Sequence, residues 1–150
     1  MPHTPPAGQP QIAPSLVYDD PRAAIAWLQE AFGFEVRMMI EDGDGNLVHN
    51  ELEFGAGLLY VAGPGFRPGA ASPGEVGGKF TTSLYVYVDD VDVHCERARA
   101  AGAKVVEEPV SREYGERVYG CEDCGGHLWY FGQRFDQDAW DSATEEHGAS

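Results

Sequence analysis

Leu16-Val-Tyr-Asp-Asp20 is echoed by Val86-Tyr-Val-Asp-Asp90, and Gly57-Leu-Leu-Tyr-Val61 by His127-Leu-Trp-Tyr-Phe131. Asp20 and Asp90 lie 70 residues apart, and so do Tyr60 and Tyr130. A shared offset at both ends of a segment marks an internal duplication, which has to be settled before any single element is read. The chain is therefore read as one unit used twice.

Each copy predicts a strand, a helix and three more strands. In the first, Ile12–Tyr18 is a short β-rich run. Asp20 followed by Pro21 supplies an N-cap and a first-turn proline for a helix over Pro21–Phe32. Its apolar stripe is Ala24, Ile25, Leu28 and Phe32, and Gly33 is a C-cap. Strands over Phe34–Glu41, Leu47–Phe54 and Leu58–Ala62 follow, the first two joined by a turn at Asp42-Gly-Asp-Gly45. The second copy predicts a strand at Thr81–Val88, a helix at Val91–Ala101 stopped by Gly102, and strands at Val105–Val110, Glu116–Cys121 and Leu128–Phe131. Between the copies, Gly63–Gly78 holds six glycines and three prolines and reads as a linker. The expected organisation is a disordered N-terminal arm (1–10), a first βαβββ module (11–62), a Gly/Pro linker (63–79), a second βαβββ module (80–133) and an acidic, mostly disordered tail (134–150). The fold class is α+β.

Composition bounds the function. The chain has 150 residues and a net charge of -15, from 25 acidic against 10 basic side chains. Such a charge repels phosphate backbones and anionic lipid, so neither nucleic acid nor membrane is expected as a partner. No apolar run is long enough to span a bilayer. The opening MPHTPPAGQP lacks the basic and apolar regions of a secretory signal, and three cysteines fit a reducing compartment. A cytoplasmic location is the expectation. Part of the charge sits in the tail: Phe135–Ser150 has five acids and no Lys or Arg.

Taken together, Val17-Tyr-Asp-Asp-Pro-Arg22, Trp27-Leu-Gln-Glu-Ala-Phe-Gly-Phe34, Val86-Tyr-Val-Asp-Asp-Val91, Tyr114-Gly-Glu-Arg-Val-Tyr119 and Gly126-His-Leu-Trp129 resemble the vicinal oxygen chelate superfamily. That superfamily includes glyoxalase I, bleomycin-resistance proteins and extradiol dioxygenases, and the ending is similar to its bleomycin-resistance-like branch. The resemblance spans roughly Ile12 to Gln133. It implies a cupped mixed sheet with helices outside and a ligand cleft between modules or at a homodimer interface.

Family enzymes bind a divalent metal through His or Glu at four symmetric places. Carried over by spacing, these fall at Ala13, Tyr60, Ser83 and Tyr130. None offers a charged oxygen or an imidazole, so no metal and no other cofactor is expected. Cys121-x2-Cys124-x2-His127 has zinc-type ligands but no second pair to complete a site.

His49 and Glu51 alternate with Val48, Leu52 and Phe54 along one strand, so the two share a face opposite the helix. They are the candidate catalytic pair, a general base oriented by a carboxylate, or else two solvated polar residues on a half-exposed strand. The expected ligand wall is Ser15, His49, Glu51, Tyr60, Ser83, Tyr85, Tyr87, Arg117, Tyr119 and Tyr130. Aromatic faces with a few polar handles suit a planar or apolar organic molecule; the same tyrosines would also fill a collapsed core. His94 is expected either at the surface or in helix packing, and His3 and His147 carry no functional weight.

Two functions follow. One is a small-molecule binder without the family's metal. The other is a metal-dependent lyase or dioxygenase using a shifted ligand set around His49, Glu51 and the Cys/His segment, so whether the chain is an enzyme stays open. A third class, a dimeric interaction module using the acidic tail, competes with both.

Overall fold

The computed structural model describes residues 4–147; His3 lies outside them, and the side chain of His147 is not described. The described residues form two four-stranded mixed sheets and three helices, each sheet built by one βαβββ module.

The first module contains β1 (Ser15–Val17), α1 (Pro21–Phe32), β2 (Glu35–Glu41), β3 (Leu47–Phe54) and β4 (Gly57–Ala62). Its strands lie in the order β1-β4-β3-β2, with β1 parallel to β4 and the other pairs antiparallel. α1 begins where the sequence demands. The Asp20 carboxylate accepts from the Ala23 N–H at 3.1 Å, and Pro21 occupies the first turn, where no N–H is needed. It ends at Gly33, whose φ of 86° lets its N–H reach back to the carbonyls of Leu28 and Gln29. Leu28 and Phe32 are fully buried and pack against the β3 and β4 face that carries Leu52 and Leu59. Replacing Asp20 by Ala is expected to cost about 1 kcal/mol of unfolding free energy, because one orphan N–H loses its acceptor. Denaturant titration checks this, and a loss under a few tenths would deny the cap its role.

β5 (Ser83–Tyr87), α2 (Val91–Ala100), β6 (Lys104–Ser111), β7 (Glu116–Glu122) and β8 (Leu128–Arg134) form the second module, in the order β5-β8-β7-β6. Asp90 caps α2 through the Val93 N–H at 3.1 Å, the counterpart of Asp20. The helix packs on a face made of Tyr119, Cys121, Trp129 and Phe131, none of which is exposed. His94 is buried there, its Nδ1 2.6 Å from the Tyr119 hydroxyl, so of its two expected environments it takes helix packing and not the surface.

The two modules differ in one turn. In the first, Phe54 pairs with Gly57 across the two-residue turn Gly55-Ala56. In the second, the Asp123 N–H donates to the His127 carbonyl across three residues, Cys124-Gly125-Gly126. Glu51 therefore pairs with Tyr60, whereas Gly120, not Cys121, pairs with Tyr130.

Residues 134–147 depart from expectation, and the last three residues of the expected tail lie outside the described ones. Instead of a structureless acidic tail, β8 runs to Arg134 and a helix, α3, spans Gln137–His147. Two features anchor its start: the Phe135 and Asp136 N–H groups donate to the Gly115 carbonyl at 2.9 and 3.2 Å, and Asp136 caps the Ala139 N–H at 3.0 Å. The 63–79 linker is broken by a 3-10 turn at Pro73–Val76, where buried Ser72 donates to Asp19 at 2.5 Å. Among the described residues no helix is long and apolar enough to cross a membrane.

Candidate functional site

Strand alternation sends Ser83, Tyr85 and Tyr87 of β5 away from α2, together with Tyr130, Gly132 and Arg134 of β8 and Glu116 of β7. Glycines shape this face. A Cβ on Gly132 would lie 2.7 Å from the Tyr85 ring, and one on Gly120 would lie 2.8 Å from the Tyr130 ring. Both rings thus lie flat across the sheet where the strand has no side chain. So placed, Tyr85 donates its hydroxyl to Glu116 Oε1 at 3.0 Å.

Glu116 is 3% exposed, and a buried carboxylate needs partners for both oxygens. Arg134 supplies the rest, its Nε and Nη2 donating to Oε2 at 3.2 and 3.1 Å. Arg134 Nη2 also donates to the Tyr87 hydroxyl, and its guanidinium sits 4.0 Å from the centroid of the Trp140 ring on α3. Desolvation, then the hydrogen bond to Glu116, pushes the Tyr85 phenol above its ordinary pKa; Tyr87 shifts the same way for the same leading cause. Both stay protonated. Tyr85, Tyr87, Tyr114 and Trp140 surround an open pocket of about 560 Å³, with Glu116 at its floor and Ala143 and Thr144 on the α3 side. Sequence reasoning missed Tyr114, Glu116, Arg134 and Trp140; the pairing of an acid on β7 with the end of β8 has no local signature.

The first module has its own site. Glu51 is 5% exposed and lies beneath His49, with Nε2 and Oε2 2.6 Å apart, and the Tyr60 ring is 5.4 Å from the imidazole. Ser15, His49, Tyr60, Phe66 and Arg67 share a second pocket of about 570 Å³. The expected His49–Glu51 pair is thus brought together with Ser15 and Tyr60.

Arg117 and Tyr119 are not. They point to the helix side of β7: Arg117 binds the Asp92 carboxylate with two N–H groups at 2.9 Å, and Tyr119 is fully buried on His94. The extra turn residue explains the correction. Third-strand positions correspond at an offset of 69, not 70, and an odd shift reverses the face. His49 and Glu51 thus correspond to Val118 and Gly120.

The family's metal fails a fit test on the residues present. β1 begins at Ser15, which pairs with Tyr60, while Tyr85 pairs with Tyr130. The register thus substitutes Ser15 and Tyr85 for Ala13 and Ser83, a set of one hydroxyl and three phenols. Neutral phenols, one pushed further from ionising, are poor ligands for a hard dication. In the Cys/His segment, Cys121 is buried and its thiol is pushed up to about 12 by desolvation, whereas Cys124 is exposed. Among the described residues no three His, Cys, Asp or Glu side chains are grouped to hold a metal ion.

The fold and these sites define a protein of two βαβββ modules with ligand-sized pockets on the sheet faces. Residues 8–131 match the Glyoxalase/Bleomycin resistance protein/Dioxygenase superfamily model, and the chain belongs to that family. An uncharacterized protein of Mycobacterium bovis is 31% identical over 128 residues, covering 83% of this chain and 84% of its own. The crystal structure of TioX from Micromonospora sp. ML1 is 34% identical, covers 83% of this chain and 98% of its own, and superposes with a TM-score of 0.68. TnmS3, an antibiotic binding protein from Streptomyces sp. CB03234, shares the fold at 20% identity and a TM-score of 0.60, over 81% of this chain and 93% of its own.

Proposed function

We propose that this chain is a binder of small, planar, uncharged aromatic molecules that works without a metal or other cofactor, and that the ligand lies among Tyr85, Tyr87, Tyr114 and Trp140. The observation that carries this is the floor of the pocket. Glu116 and Arg134 neutralise each other and their hydrogen bonds are taken up internally. A charged ligand would have to break that pair to gain a partner, whereas an uncharged aromatic plane gains ring contacts at no such cost. The fold supports such a role elsewhere, since TnmS3 is an antibiotic binding protein.

Phenazine is a suitable probe. Calorimetric titration is expected to show saturable binding, weakened about tenfold, or ~1.4 kcal/mol, by Tyr114→Ala or by Tyr87→Ala. Binding to both variants as tight as to the parent chain, or no saturable heat from the parent, would overturn the proposal.

A further inference from the structure

We infer that the first module carries a second, chemically separate site, for a small hydroxy-carboxylate. The inference is independent of the aromatic pocket.

Three features of the 570 Å³ pocket point to that chemistry. First, it contains a cation without a carboxylate partner, its guanidinium 5.7 Å from the centroid of the Phe66 ring. Arg22 meets Glu41 and Arg37 meets Glu51, but Arg67 meets no carboxylate among the described residues. In a chain with a net charge of -15, an arginine on a pocket wall that no carboxylate neutralises is suited to an anion from outside.

Second, His49 is held in one orientation. Its Nε2 lies 2.6 Å from Glu51 Oε2, and an ionised carboxylate can only accept, so Nε2 carries the proton. In the neutral ring Nδ1 then keeps its lone pair, an acceptor for an O–H. Glu51 is buried, so it is a positioning residue that fixes the tautomer without itself lining the pocket.

Third, the remaining wall is mixed. Tyr60, Val61, Pro64 and Phe66 give it an apolar side, which suits a short hydrocarbon chain. The ligand class that uses all three features has a carboxylate for Arg67, a hydroxyl that donates to His49 Nδ1, and an apolar tail. A simple fatty acid leaves the histidine unused; a neutral alcohol leaves the arginine unused.

The experiment titrates the full chain calorimetrically with 2-hydroxy-4-methylpentanoate, 4-methylpentanoate and 2-hydroxy-4-methylpentanamide. The hydroxy acid is expected to bind at least tenfold more tightly than either analogue. Arg67→Ala should erase its advantage over the amide, and His49→Gln its advantage over the deoxy acid. Glu51→Gln replaces an obligate acceptor by an amide that can donate to Nε2. It should lose the preference for the hydroxyl, keep the preference for the charge, and shift the His49 side-chain nitrogen signals toward the other tautomer. Tyr114→Ala should leave all three affinities unchanged. Equal affinity for the hydroxy and deoxy acids, preferences that survive the Arg67 and His49 substitutions, or no saturable heat at millimolar ligand would each overturn the inference.

Discussion

Replacing Trp129 by Ala is expected to lower the unfolding free energy by about 3–5 kcal/mol. The indole is fully buried under α2 and lies parallel to the Phe131 ring, with centroids 5.9 Å apart. Its Nε1 donates to Asp123 Oδ2 at 2.9 Å, and Asp123 Oδ1 accepts from the His127 N–H at 3.0 Å. One carboxylate thus joins the core to the turn between β7 and β8. Truncation would leave a cavity and a buried oxygen without its donor, two losses that compound. Trp129→Phe separates them. It keeps most of the ring volume and drops the hydrogen bond, so it should cost about 1–3 kcal/mol. Denaturant unfolding with an unchanged m-value checks both, and an alanine variant within 1 kcal/mol of the parent would show that the strand is not the centre of its core.

Gly115→Ala is expected to detach α3 and abolish the aromatic pocket. Gly115 has a φ of 88°, a conformation that costs an L-residue roughly 1–2 kcal/mol. Worse, an added Cβ would collide with the Asp136 backbone carbonyl, which cannot move aside as a flexible side-chain tip can. The Gly115 carbonyl is also where the Phe135 and Asp136 N–H groups attach, so strain falls on the hinge that holds the helix start. The expected result is loss of phenazine binding, with Trp140 more exposed to solvent, while the α2 core stays folded. Calorimetry reads the lost binding, fluorescence quenching by acrylamide the exposure of Trp140, and far-UV circular dichroism the retained fold. A Gly115→Ala protein that binds phenazine like its parent would show that α3 is not a wall of the site.

The duplication was legible because its punctuation is local. Asp20-Pro21 and Gly33 fix the ends of α1 through caps that any reader of the sequence can place, and α1 spans the residues that they predict. β3 likewise begins and ends where alternation of Val48, His49 and their neighbours sets it. α3 was not legible, since Ala139, Trp140 and Ala143 form too thin a stripe to announce a helix. What holds that helix is distant: a carbonyl on Gly115 and a guanidinium on Arg134 against its one indole. The faces of Arg117 and Tyr119 were misassigned for a different reason. Sequence repeats count residues, whereas sheet faces count pairs, and one residue in a turn separates the two counts.

That three-residue turn also bears on how the halves of such a chain diverge. After a gene segment doubles, the copies begin chemically identical, and point substitutions would have to rewrite a pocket wall one side chain at a time. A single added codon at Cys124–Gly126 turns a whole strand over at once. The acid–imidazole pair of one half then has only a valine and a glycine as its counterparts in the other, and that bare glycine makes room for an aromatic ring of its own sheet. Length variation in a surface hairpin is thus a route by which twin modules acquire unlike ligand preferences without disturbing either core.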